Sequence, residues 1–169
     1  MTSSALLADA FGRIREVVHE VVDGLTADQL NHRFNGVANP IGWLVWHLTR
    51  VQDNHVAEVA GRDEVWLTGG WEQWFGLDLP ATATGYGQTS EEVDKVSVET
   101  PDLLTGYHDA VYEQTIRFVS GITDSDLDRI VDESWDPPVT LGVRLISVIS
   151  DDLQHAGQAA YARGLVLLL

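Results

Sequence analysis

A chain of 169 residues and 18.6 kDa is the size of one domain with room for a core, and its apolar residues never run to the roughly 20 needed to cross a bilayer. Its 26 acidic residues against ten basic ones give a formal net charge of -16, a field that repels phosphate backbones and sets nucleic acid aside as a partner. Cysteine is absent, which removes disulfides, thiolate metal sites and cysteine nucleophiles, so any metal must rest on nitrogen and oxygen ligands.

The N-terminal stretch has no basic n-region, and Asp9, Arg13 and Arg15 interrupt its apolar residues. It reads as a helix rather than a signal peptide, and the cytoplasm is the expected location. Steps of four and three through Leu7, Phe11, Ile14, Val18, Val21 and Leu25 predict a first bundle helix over Ser4 to Leu25, with Ser3 or Ser4 as its cap. A second helix starts with Asn39 as N-cap and Pro40 in the first helical position, and its stripe of Ile41, Leu44, Leu48 and Val51 leads to Gly61.

From about Arg62 to Thr100 the helical period is lost among Gly, Thr and Trp, which predicts a long loop holding one or two short helices. A third helix opens at Pro101 and runs through Leu104, Tyr107, Val111 and Phe118 to Gly121. After a connection in which Thr123 and Asp126 resemble a cap, a fourth runs from about Val139 to Arg163, with Gly164 as its stop. No strand pattern stands out. The expectation is an all-α four-helix bundle over residues 1–169, a single domain with its long connection between helices 2 and 3.

The fourth helix carries an anomaly. Asp151, Asp152 and His155 interrupt a stripe whose buried face is marked by Val148 and Ala159. Burying a carboxylate without compensation costs several kcal/mol, and a bound cation is one resolution. Asp151 and His155, at i and i+4, share a helix face and could chelate one ion; Asp152 with His155, at i and i+3, is the competing pair. On the second helix His47 lies three after Leu44 and four before Val51, so it too faces the core. Two imidazoles and a carboxylate are the donors of catalytic zinc sites that keep a position open for water or substrate.

With IGWLVWHLTRVQDNH on the second helix and DDLQHAGQAAYARG on the fourth, nearly the whole chain resembles the DinB-like superfamily of metal-binding bundles. The nearest branch is the one that includes the metal-binding domain of mycothiol-dependent maleylpyruvate isomerase. The resemblance implies one histidine ligand from the second helix and two ligands four residues apart on the fourth, which fall here on His47, Asp151 and His155. Asp at the first position of that pair is shorter than Glu or His, which leaves Asp152 as the alternative carboxylate. The sequence stops at Leu169, so the isomerase's C-terminal domain has no counterpart here and isomerase activity is not expected.

What the resemblance implies is a divalent ion, zinc or nickel, activating a low-molecular-weight thiol such as mycothiol for attack on a small-molecule electrophile. The alternatives are a hydrolase using metal-activated water and a non-catalytic metal- or ligand-binding bundle of the stress response. A homodimer is the expected assembly.

Among the remaining residues, His55 extends the second-helix stripe and reads as core or rim packing. His19, His32 and His108 read as surface or loop residues, and Arg50 as the partner of Asp53 in an ordinary salt bridge. Trp66, Trp71 and Trp74 read as anchors of the long loop.

Overall fold

Leu7, Phe11, Ile14, Val18 and Val21 form the buried stripe of the first helix, α1, which spans Ser3–Val22. The structure, a computed structural model, describes residues 1–169. Thr2, not Ser3 or Ser4, caps α1 by accepting from the Ala5 amide at 3.1 Å, because the hydroxyl of Ser4 is turned across to the Val119 carbonyl at 2.7 Å. The helix ends at Val22, short of Leu25, where Gly24 takes a left-handed φ of 69°. One further turn, α2 (Ala27–Leu30), carries a capping box between Thr26 and Gln29.

The second long helix, α3 (Ile41–Ala60), begins one residue later than the sequence suggests, with Pro40 itself as N-cap. It ends on Gly61 in the left-handed conformation, whose amide returns to the Ala57 and Glu58 carbonyls. Nearly every residue from Ile41 to Asp53 is buried, which a one-sided stripe does not anticipate. The cause is the following segment, which folds over the outer face of α3 as three short helices: α4 (Val65–Thr68), α5 (Trp71–Phe75) and α6 (Ser90–Asp94). The sequence led us to expect one or two.

A buried polar network fastens this segment. Asp53 accepts from the Val65 and Trp66 amides at 2.9 and 2.7 Å, capping α4 from a distance, and from the Tyr107 hydroxyl at 2.9 Å. The fully buried Arg50 donates to Glu64 at 2.5 Å, to the Ala83 carbonyl at 3.0 Å and to Tyr107 at 3.3 Å, and lies over the Trp66 ring. Asp53 stands 3.8 Å from Arg50, so Glu64 is the closer ionic partner. Trp66 is buried, Trp71 half-buried and Trp74 mostly exposed, so the anchoring role is graded along the three.

The third and fourth long helices are α7 (Pro101–Val119) and α8 (Leu141–Val166). Between them Thr123 and Asp126 form the expected cap on a 3-10 turn, and β1 (Ile130–Asp132) pairs antiparallel with β2 (Val139–Thr140), Ile130 opposite Thr140. Strands of three and two residues are too short to display alternation, which hides them in sequence. The last helix passes through Gly164 to Val166. Helix α8 packs most extensively on α3, and α1 closes the bundle against α7 and α8. No helix is long and apolar enough to cross a membrane.

Candidate metal centre

His47 sits in the second turn of α3 and faces the seam with α8, where Asp151 and His155 stand one turn apart. One donor atom from each of the three lies within 4.8 Å of the others. The imidazoles meet edge to face with centroids 4.7 Å apart, and His155 Nε2 approaches Asp151 Oδ1 to 3.6 Å.

The hydrogen bonds on the far side of each ring fix which nitrogen is free. His47 Nδ1 meets the Thr84 carbonyl oxygen, which can only accept, so the ring proton is on Nδ1 and Nε2 keeps its lone pair. His155 Nδ1 meets Gln158 Oε1 at 3.0 Å with the same consequence. Burial pushes the His47 imidazole below its ordinary pKa, with the charge of His155 adding to the effect and the Thr84 carbonyl and Asp151 opposing it. The neutral ring is the form that ligates.

Asp151 Oδ2 is buried without any hydrogen-bond partner. A carboxylate with one oxygen near His155 Nε2 and the other unpartnered, beside two imidazoles with free lone pairs, fits a divalent cation held by nitrogen and oxygen. The cluster takes Asp151 and not Asp152. Asp152 is fully buried on the core side of α8 with neither oxygen hydrogen-bonded, and burial, then the like charge of Asp151, raises its pKa well above the carboxylate range. The i, i+4 spacing decides this, since one residue further turns the side chain by about 100° around the helix.

Two supporting features were not evident in the sequence. Trp43 stacks on His47 at 4.5 Å, and its indole N–H donates to Gln88 at 2.7 Å. Gly85, at φ 95°, brings its backbone so near the site that a Cβ there would lie 2.5 Å from His47 Nδ1 and 3.1 Å from the Trp43 ring. Gln158 was readable as the third residue after His155; Thr84 and Gly85 lie in a loop with no periodicity to mark them. Next to the three donors opens a cavity of ≈ 420 Å³ that reaches His47 and Asp151 and includes Asn54, His55 and Arg144, with the exposed Tyr86 and Trp135 in its wall. A separate apolar cavity of ≈ 590 Å³ borders Gln158 but touches none of the three donors.

The other histidines divide. His55 lies at the rim of the polar cavity, as its place on the stripe suggests. His108, expected at the surface, is wholly buried, with Nδ1 3.1 Å from the Thr49 hydroxyl and Nε2 unpartnered; burial lowers its pKa to about 3. Its spacing of four after Leu104 and three before Val111 places it on the core stripe of α7, where its polarity masks the pattern. His19 is partly exposed and bonds Asp109 at 2.8 Å, and His32 packs edge-on to Phe34.

The model of one protein family, Mycothiol-S-transferase, matches residues 6–166. The chain belongs to the mycothiol S-transferase family. That makes it a member of the DinB-like superfamily, as its motifs imply. No curated protein matches. A solved structure, described as that of the conserved protein of a locus from Enterococcus faecalis, superposes with a TM-score of 0.93 at 32% identity, covering 100% of this chain and 99% of that one. Family membership and the all-α bundle therefore agree, and the donors lie on the two helices whose motifs carry the resemblance.

Proposed function

We propose that this mycothiol S-transferase family member joins a small thiol of the mycothiol type to an electrophile, using a divalent ion, zinc or nickel, held by His47, Asp151 and His155. The observation that carries the reading is the convergence of three donors with both imidazole Nδ1 atoms already engaged elsewhere and one carboxylate oxygen left without a partner.

His47, Asp151 and His155 would hold the ion, which when bound would supply a Lewis acid able to lower the pKa of a thiol. The chain's own residues prepare the place. Thr84 and Gln158 hold the two rings in the ligating tautomer, so no proton need leave an Nε2 when the ion arrives. Trp43, stacked flat on His47, covers one face of that ring and keeps water from it. The sulfur must come from a co-substrate, because the protein has no cysteine. The ≈ 420 Å³ cavity beside His47 and Asp151 is where thiol and electrophile would meet. A sulfur–carbon bond forms there, and the thiol proton leaves with the displaced group.

The test is metal analysis followed by conjugation. Purified protein is dialysed against zinc or nickel, its metal content measured, and the loaded protein assayed with mycothiol, glutathione or bacillithiol and a haloalkyl electrophile. The expected result is one ion per chain and thiol conjugation that disappears on chelation. Failure to take up either ion, or turnover that needs no added thiol, refutes the reading.

A further inference from the structure

Arg144 lies in the wall of the polar cavity, on α8 about two turns before Asp151. Its Nη1 donates to Glu58 Oε2 at 2.6 Å and to His55 Nδ1 at 2.9 Å, and its Nη2 donates to Asp132 Oδ2 at 3.2 Å. A guanidinium has five N–H donors and no lone pair to accept with. Nδ1 must therefore be the unprotonated nitrogen of His55, and the ring proton sits on Nε2. With two carboxylates holding Arg144, this tautomer is built in.

His55 Nε2 makes no hydrogen bond within the protein, and His55 is among the residues lining the same cavity as His47 and Asp151. Two neighbouring polar side chains are already engaged. Asn54 Nδ2 donates to Glu64 at 2.9 Å, and Ser147 Oγ donates to the Val143 carbonyl at 2.9 Å. The charge of Arg144 is matched by Glu58 and Asp132, so no free cation remains in that wall to receive a carboxylate. His55 Nε2–H thus offers this wall a neutral ring donor without a partner, the complement of a neutral acceptor oxygen.

We propose that His55 is a specificity-determining donor, its Nε2–H binding the carbonyl oxygen of the electrophile, and that Arg144 is the positioning residue that fixes its tautomer. The cavity accordingly selects neutral electrophiles with a carbonyl beside the reacting carbon over those without an acceptor. The choice of substrate rests on the thiol-transfer reading above, whereas the tautomer does not.

Two measurements test it. In the first, nitrogen-15 NMR of histidine-labelled protein without metal reads the ring directly: a protonated Nε2 and an unprotonated Nδ1 are expected for His55, with a mixed tautomer in Arg144→Gln. A protonated Nδ1 in the wild type overturns the proposal whether or not thiol transfer occurs. In the second, zinc-loaded protein conjugates mycothiol to chloroacetamide or to benzyl chloride, which lacks the carbonyl. His55→Leu is expected to lose about ten-fold in kcat/KM on chloroacetamide, chiefly through KM, and little on benzyl chloride; His55→Gln, which keeps an N–H donor, recovers most of the loss. Equal losses on both electrophiles overturn the donor role, and an inactive wild type with the expected tautomer refutes thiol transfer and the selectivity built on it.

Discussion

Replacing Gly85 by alanine strikes the candidate site without touching any of its three donors. The added Cβ would lie 2.5 Å from His47 Nδ1 and 3.1 Å from Trp43 Cζ2, against an ordinary contact of at least 3.4 Å, so the loop or the ring must yield by about 1 Å. The methyl would press on the His47 ring and on the Trp43 ring stacked with it, so the pair resists displacement together. The loop must therefore lift, and the Thr84 carbonyl leaves His47 Nδ1. Backbone strain at φ 95° costs roughly 1–3 kcal/mol, and the lost hydrogen bond costs about 1 kcal/mol more. Loss of a partner that orients a ligand weakens metal binding by about 10–100-fold. Gly87→Ala is the control, since φ there is also positive at 70° but nothing lies within 4 Å of the new methyl. Zinc competition titration with a chromophoric chelator, alongside denaturant unfolding, should show both variants destabilised but only Gly85→Ala impaired in metal binding. Equal zinc affinity in Gly85→Ala and wild type would refute the claim that the Thr84 carbonyl orients His47.

Three further outcomes are expected. Asp151→Asn and His47→Ala should lower zinc affinity by more than the roughly 100-fold of an outer-shell change, while Asp152→Asn keeps the ion, as read by equilibrium dialysis with elemental analysis. His108 takes no proton in the folded state until about pH 3, whereas the unfolded chain takes one near pH 6.5, so acidification favours unfolding through this group. Relative to His108→Gln, the wild type should accordingly lose about 2 kcal/mol between pH 7 and pH 5 in urea titrations, and a constant difference would contradict its burial as a neutral ring. Asp53→Ala leaves the Val65 and Trp66 amides and the Tyr107 hydroxyl without their buried acceptor, while Arg50 keeps Glu64, and should cost about 3–5 kcal/mol of unfolding free energy.

The four long helices were legible because each carries an apolar stripe with a period the chain cannot disguise, from Leu7 to Val21 and again from Leu141 to Val148. The candidate cluster was legible for the opposite reason: His47, Asp151 and His155 break such stripes. The same logic failed for His108, which also interrupts a stripe but was not recognised as lying on one. Asp152 shows the complementary limit, since a neighbour in sequence is no neighbour around a helix axis. The residues that orient the donors were hardest to see. Thr84 and Gly85 come from a segment whose path is set by Arg50, Asp53 and Glu64, contacts between positions with no periodic relation.

Arg50 lies on α3 itself, less than one full turn beyond His47, and it grips the backbone of Ala83, the residue before Thr84. A single stretch of helix thus furnishes the imidazole and the tether for the carbonyl that steers it. The aim of the ring is therefore set by contacts that start and finish on α3, rather than by the path of the chain that leads from Gly61 to Ala83.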